Sequence, residues 1–193
     1  MNRRHFTLKT AATLCAGALA ACTDQPAVAA APSATRVSAQ QAYEMAAKGH
    51  GFVTGPVMAA NTVYVFFDTT CPHCAHLWES AKPLQGQLKI VWMPLAYLRP
   101  QSLTQGATIL SAADPAAAMA ENETRLLARQ GGITASTSLS DEVLGKVKSN
   151  TALFEQLGVD SVPLIVWRNR KTGEFGSQTG AADTATLQRM VGL

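Results

Sequence analysis

One unbroken apolar run, Val63-Tyr64-Val65-Phe66-Phe67, is rich in β-branched and aromatic residues and shows no polar alternation. A run of this kind predicts a strand covered on both faces. Polar Asp68, Thr69 and Thr70 end it, and Leu77, Trp78, Ala81 and Leu84 then recur at helical spacing until Pro83 and Gly86 close the segment. A helix therefore opens at about Cys71. Leu88 to Met93 forms a second apolar strand, and the right-handed crossover of a β-α-β unit makes the two strands parallel. Three helical stretches follow. Thr104 to Ala112 is the first; Asp114 as N-cap and Pro115 at the first helical position open the second, which runs to about Gln130; Ser140 to Leu157 is the third, ended by Gly158. Pro163 to Trp167 predicts a strand, Thr172 to Thr179 its hairpin partner across a turn at Asn169 to Lys171, and Asp183 to Val191 a final amphipathic helix. Ser38 to Lys48 has room for a short helix ahead of the first strand. The pattern contains no internal repeat, and its order is β-α-β, helical insertion, β-β-α: an α/β arrangement.

The first 36 residues read differently. Arg3, Arg4 and Lys9 precede a short apolar stretch from Thr10 to Ala21, which predicts an export signal over residues 1–21. The stretch is short of the roughly 20 apolar residues that span a bilayer. Arg3-Arg4-His5-Phe6 also resembles a twin-arginine signal. Leu19-Ala20-Ala21-Cys22 resembles a bacterial lipobox, which makes Cys22 the lipidation candidate, whereas Ala27-Val28-Ala29 suits ordinary cleavage. On the lipobox reading, residues 22–36, rich in Ala and Pro, are a tether, and residues 37–193 are one catalytic domain in the periplasm, held to a membrane by lipid. With Arg3, Arg4 and Lys9 set aside, the remaining 13 basic side chains balance 13 acidic ones. A neutral body argues against a basic face for nucleic acid.

Cysteine usage then carries the chemistry. Cys15 lies in the signal and Cys22 at its end, so Cys71 and Cys74 are the thiols of the mature chain. A bridge across two residues closes almost no loop and stabilises little, so its value is chemical rather than structural. With Cys71 at the helix N-cap, Pro72 falls at the first helical position, where its missing N–H does no harm. The amides of His73 and Cys74 are then expected to donate to the Cys71 sulfur, and the helix dipole adds about 0.3–1 kcal/mol. A thiolate at Cys71 follows, supported by the His73 imidazole, while Cys74 one turn inward stays protonated and resolves. The pair is its own redox centre, and no other cofactor is expected. A second reading is a non-enzymatic copper or zinc carrier using Cys71, Cys74 and His76; against it, zinc asks for about four ligands, and no second C-x-x-C or paired His motif exists. Haem attachment would need His where Ala75 stands. His76 reads as a helix-surface residue and Trp78 as a core residue.

The element order with Cys-Pro-His-Cys at the head of the first helix resembles the thioredoxin fold. Residues 60–193 more closely resemble the DsbC/DsbG family of bacterial periplasmic disulfide proteins, in Val63 to Asp68 running into the motif, Asp114-Pro115-Ala116, Leu157-Gly158 before Val162-Pro163, and Gly180 before the last helix. The resemblance implies that Cys71 attacks, that Cys74 resolves the mixed disulfide, and that the Val162–Pro163 bond is cis. It also implies protein thiols and disulfides as substrates and a membrane redox partner. Two features depart from the family. About 25 residues between tether and first strand leave no room for its N-terminal dimerisation domain, so a monomer is expected. Val162 before the proline, together with the Pro-His dipeptide, is DsbA-like, where DsbC/DsbG proteins usually carry Thr; oxidase, reductase and isomerase therefore stay open.

Overall fold

The computed structural model describes residues 37–59 and 62–193. The expectations for residues 1–36, including the signal, Cys22 and the tether, lie outside the described residues. Among the described residues five strands form one sheet in the order β1-β3-β2-β4-β5: β1 (Phe52–Thr54), β2 (Thr62–Asp68), β3 (Lys89–Leu95), β4 (Leu164–Arg168) and β5 (Phe175–Thr179). β2 and β3 run parallel, as the crossover rule requires, with Val63 opposite Ile90 and Phe67 opposite Pro94. β4 and β5 pair antiparallel beside them. The helices are α1 (Ala39–Ala46), α2 (Pro72–Ala81), α3 (Ser102–Ser111), α4 (Pro115–Leu127), α5 (Asp141–Gln156) and α6 (Thr184–Val191). This is the predicted β-α-β, helical insertion, β-β-α order, preceded by α1 within the Ser38 to Lys48 stretch expected to hold a short helix and by β1, which was not expected.

Each helix start has a local cause. Ser38 caps α1 in a reciprocal capping box with Gln41, while Asp114, Ser140 and Asp183 accept from the amides three residues on at α4, α5 and α6. Gly158 ends α5 with a left-handed φ of 68°, which a side chain would strain. α4 stops three residues earlier than the pattern suggests, at Leu127, and Arg129 turns left-handed with φ 60°.

Alternation along β2 divides the core. Phe66 meets Phe154 of α5 on one face, with ring centroids 6.1 Å apart, and Phe67 meets Trp92 on the other at 6.2 Å. Trp78 of α2 sits edge-on to Trp92 at 5.0 Å and is buried, the core role expected for it. These contacts fix α2 against the sheet, and with it the position of the motif.

Candidate functional site

β2 delivers the chain to the site and Asp68 holds it there. Asp68 is fully buried, and its carboxylate accepts from the Thr70 amide (2.8 Å) and hydroxyl (2.7 Å), from the Ser102 hydroxyl (2.8 Å), and from the amides of Tyr97 (3.0 Å) and Leu98 (2.8 Å). One side chain thus ties together the end of β2, the loop after β3 and the start of α3. Cys71 follows as the N-cap of α2 with extended backbone (φ −93°, ψ 112°), and Pro72 takes the first helical position as expected. The Cys74 amide donates to the Cys71 carbonyl at 3.0 Å, which closes the first turn and stacks the two thiols on one side. The two sulfurs are unbonded. Cys71 is 3% exposed and Cys74 0%, whereas Pro72, His73 and His76 all face solvent.

β4 brings the second half. The Val162–Pro163 bond is cis. β4 pairs antiparallel with β2 from Phe66 opposite Leu164, so the residues just before it lie beside the end of β2. The Cys71 thiol donates to the Val162 carbonyl at 3.6 Å, and the Gly180 amide donates to the Pro163 carbonyl at 2.8 Å. A groove of about 710 Å³ runs past Cys71 and Val162 between a wall made by Tyr97 and Leu98 and a floor at Gly180. That wall is apolar and open, Tyr97 being 38% and Leu98 47% exposed. Tyr97 is fixed edge-on against Phe154 at 5.2 Å, and its hydroxyl donates to the Asp160 carbonyl at 3.0 Å.

The electrostatics support a reactive thiol at Cys71, with a different leading cause from the one the sequence suggests. Its pKa is lowered from 9.0 to about 7, chiefly by a hydrogen bond from the Cys74 thiol, against the opposing effect of burial; the Cys74 and His73 amides add to the lowering, and the negative Asp68 counteracts it. No amide caps the Cys71 side chain with good hydrogen-bond geometry. The expectation that the helix-start amides lead is therefore corrected: Cys71 turns its S–H toward Val162, so the amides act on the sulfur only as weaker, misaligned donors. His73 contributes through its backbone, its imidazole being in solvent. Burial pushes the Cys74 thiol well above its ordinary value, and the Cys71 sulfur pushes it further. One thiol is thus poised to ionise near neutrality and the other to keep its proton.

A buried polar chain behind the motif escaped the sequence reading. Asn122 of α4, fully buried, donates to the Thr69 carbonyl (3.0 Å) and accepts from the Ile133 amide (2.9 Å); Gln105 of α3 accepts from the Thr69 hydroxyl (3.0 Å). Gly132 is required by this contact, since a Cβ there would lie 2.6 Å from Asn122 Oδ1. Glu123 is also fully buried; Oε1 accepts from Asn122 Nδ2 at 3.3 Å, and Oε2 has no partner among the described residues. Burial, then the negative charges at Cys71, Glu79 and Asp68, raise its pKa from 4.5 to about 8.

His76 does not join the thiols. It lies on the exposed side of α2, and among the described residues no group of three or more His, Cys, Asp and Glu side chains is arranged to hold a metal ion. Among the described residues, no helix is long and apolar enough to cross a membrane.

No family model matches the sequence. Over 158 residues, 79% of this chain, it is 25% identical to the thiol:disulfide interchange protein DsbG of Escherichia coli, and over 140 residues, 72% of this chain, 26% identical to the protein of the same name in Pseudomonas aeruginosa. The chain spans 61% and 54% of the lengths of these two relatives. The catalytic domain of Proteus mirabilis ScsC superposes with a TM-score of 0.63 at 19% identity, covering 80% of this chain and 95% of that one, which bears out the thioredoxin-like fold.

Proposed function

We propose that this chain exchanges disulfides with protein thiols, with Cys71 as attacking sulfur and Cys74 as resolving sulfur. The observation that carries the reading is the asymmetry of two adjacent thiols, Cys71 lowered to about 7 and Cys74 raised, at the edge of an open groove. In one half-reaction the Cys71 thiolate attacks a substrate disulfide, forming a mixed disulfide and releasing one substrate thiol. Cys74 then attacks the Cys71 sulfur, the second substrate thiolate leaves, and the Cys71–Cys74 disulfide holds the two electrons' worth of oxidation. The reverse sequence oxidises a dithiol. The names of the DsbG relatives support the same chemistry.

The groove supports a polypeptide substrate. Val162, next to the sulfur and ahead of β4, offers backbone to an extended chain, while Tyr97 and Leu98 offer apolar surface to its side chains. Pro163 keeps that position free of a competing N–H.

The size of the shift supports one direction. At pH 7 a thiol with a pKa of about 7 is half ionised, which stabilises the reduced pair by only about 0.4 kcal/mol, or about 10 mV. Strongly oxidising centres depress that thiol to about 3.5, whereas values near 7 accompany reducing ones. We therefore favour a reductase or isomerase role over a DsbA-like oxidase. Export through residues 1–21, lipidation at Cys22, a tether over 22–36, action in the periplasm as a monomer and re-reduction by a membrane partner complete the proposal. Thiol trapping in intact cells tests the direction. A mainly reduced Cys71–Cys74 pair supports the reductase, and a mainly oxidised pair refutes it. Mass spectrometry of the mature N-terminus tests the anchor.

A further inference from the structure

The strand order leaves β1 and β5 at the two edges of the sheet, and the two edges are built differently. β1 is three residues long and offers almost no ladder. β5 is five residues long and reads Phe-Gly-Ser-Gln-Thr, with neither a charge nor a proline. Charge, proline and a covering element are devices that keep an edge strand from pairing. The first two are missing from β5. α1 lies across the face of the sheet instead of along this edge, since its Tyr43 reaches both Tyr64 of β2 at 5.1 Å and Phe175 of β5 at 5.3 Å.

The register fixes which backbone groups the edge presents. The Gly180 amide donates to the Pro163 carbonyl, and the Asn169 amide to the Glu174 carbonyl. Between them Ile165 stands opposite Gln178 and Trp167 opposite Gly176. Bonded and non-bonded pairs alternate along an antiparallel ladder, so Gly176 and Gln178 turn their backbone groups to β4. Ser177 and Thr179 turn theirs away from it, and among the described residues these groups have no partner.

The same two residues connect the edge to the motif. Thr179 lines the Cys71 groove beside Gly180. With Ser177 it also lines a second groove of about 540 Å³, floored by buried Leu157 and Leu164 and walled by Val37 and Ala42 at the start of α1. Asp160 stands in both grooves. A chain leaving Cys71 by this route meets an apolar floor and free backbone donors and acceptors together.

We propose that a protein substrate continues from the Cys71 groove past Thr179 and adds to β5 as a sixth strand. The proposal rests on the exchange reading given above and narrows its substrate class to polypeptides that extend for several residues beyond the reacting cysteine, as unfolded or locally opened chains do. Ser177 and Thr179 each supply one N–H and one C=O, and main-chain pairing of this kind gives affinity without demanding a sequence. Side chains alternate along a strand, so every second substrate side chain falls on the α1 face of the sheet, where the second groove lies. Tyr97 and Leu98 then serve the residues next to the cysteine, and the β5 edge those further along.

The test measures kcat/KM of the purified full chain for cysteine peptides presented as mixed disulfides with glutathione, lengthened one residue at a time on either side of the cysteine. On one side kcat/KM should rise about tenfold at a particular length and then level off. N-methylation of the peptide backbone in the added stretch should lower the value for the long peptide about 2- to 10-fold. In Ser177→Pro the ratio of long to short peptide should fall toward one, since the proline deletes an outward N–H and leaves the ladder to β4 intact. Wild type that turns over long and short peptides equally overturns the proposal and leaves the exchange reading standing. Wild type that reduces no peptide and no glutathione disulfide refutes the exchange reading itself. A wild-type dimer in light scattering that Ser177→Pro splits gives the edge to a second copy of the chain and overturns the proposal. Should Ser177→Pro fail to fold, the N-methylated peptides decide with wild type: a lowered rate supports the added strand, and an unchanged rate at every position overturns it.

Discussion

Removing the Cys74 sulfur separates two explanations of the reactive thiol. If the Cys74 thiol leads in stabilising the Cys71 thiolate, Cys74→Ala loses a hydrogen bond to a charged acceptor, which contributes about 1.5–3 kcal/mol. At about 1.4 kcal/mol per unit, the Cys71 pKa should climb from about 7 to between roughly 8 and 9. The thiolate fraction at pH 7 then drops from half to about 1–9%. Reactivity falls less, because a more basic thiolate is a better nucleophile: with a Brønsted slope of about 0.4–0.5, the alkylation rate at pH 7 declines only about two- to eightfold. The sharper readout is therefore the midpoint of a pH titration, followed by ultraviolet thiolate absorbance or by the iodoacetamide rate. Cys74→Ser keeps a donor and should move the midpoint less. A midpoint in Cys74→Ala within a few tenths of a unit of wild type would return the leading role to the helix-start amides and refute the reasoning.

Three further outcomes follow from the same geometry. Glu123 has a folded pKa, about 8, above its unfolded value of 4.5, so its contribution to stability is full below about pH 4.5 and is lost as pH rises through 8; by pH 7 the loss is about 3 kcal/mol. The denaturant stability of Glu123→Gln relative to wild type should rise by that amount between pH 4.5 and 7, and parallel curves would contradict the buried-acid assignment. Asp68→Asn keeps one acceptor oxygen for five donors; with about 1–3 kcal/mol for each buried donor left unmet, it should lose at least about 3 kcal/mol in urea unfolding while the Cys71 pKa falls, since a negative neighbour that opposes ionisation has gone. Leu98→Asp should raise KM for an unfolded protein substrate several-fold and leave glutathione turnover within about twofold; equal effects on both would remove the Tyr97–Leu98 wall from substrate binding.

What the sequence revealed and what it hid divide along the range of the interactions concerned. β2, α2 and β3 were legible because their periodicity and capping are local: Val63 to Phe67 could only be a covered strand, and Pro72 could only stand at a helix start. β1 was missed because three residues, Phe52 to Thr54, are too few to show a period; its place depends on Trp92, whose indole N–H donates to Thr54 at 2.9 Å. Cys71 and Cys74 were found from spacing alone. Asn122 and Glu123 were not, because Glu121-Asn122-Glu123-Thr124 reads as a solvated helix face, and only the packing of α4 on α2 and α3 buries its two middle residues. The face had one sign, since Met119, Asn122 and Glu123 share a side of the helix at i, i+3 and i+4 and all three are buried. Tyr97 and Leu98 were hidden by the reverse effect: they continue an apolar strand in sequence, while Asp68 draws their amides inward and turns their side chains out.

The central claim is that the sulfur of residue 71 meets the substrate and that of residue 74 releases it. Incubating Cys74→Ser with an unfolded protein that carries a disulfide tests this directly, with adducts mapped by peptide mass spectrometry. The account predicts a covalent complex joined through Cys71, stable until dithiothreitol is added and absent from Cys71→Ser. A complex that forms equally well in Cys71→Ser, or none in Cys74→Ser while a thiol control reacts, contradicts it.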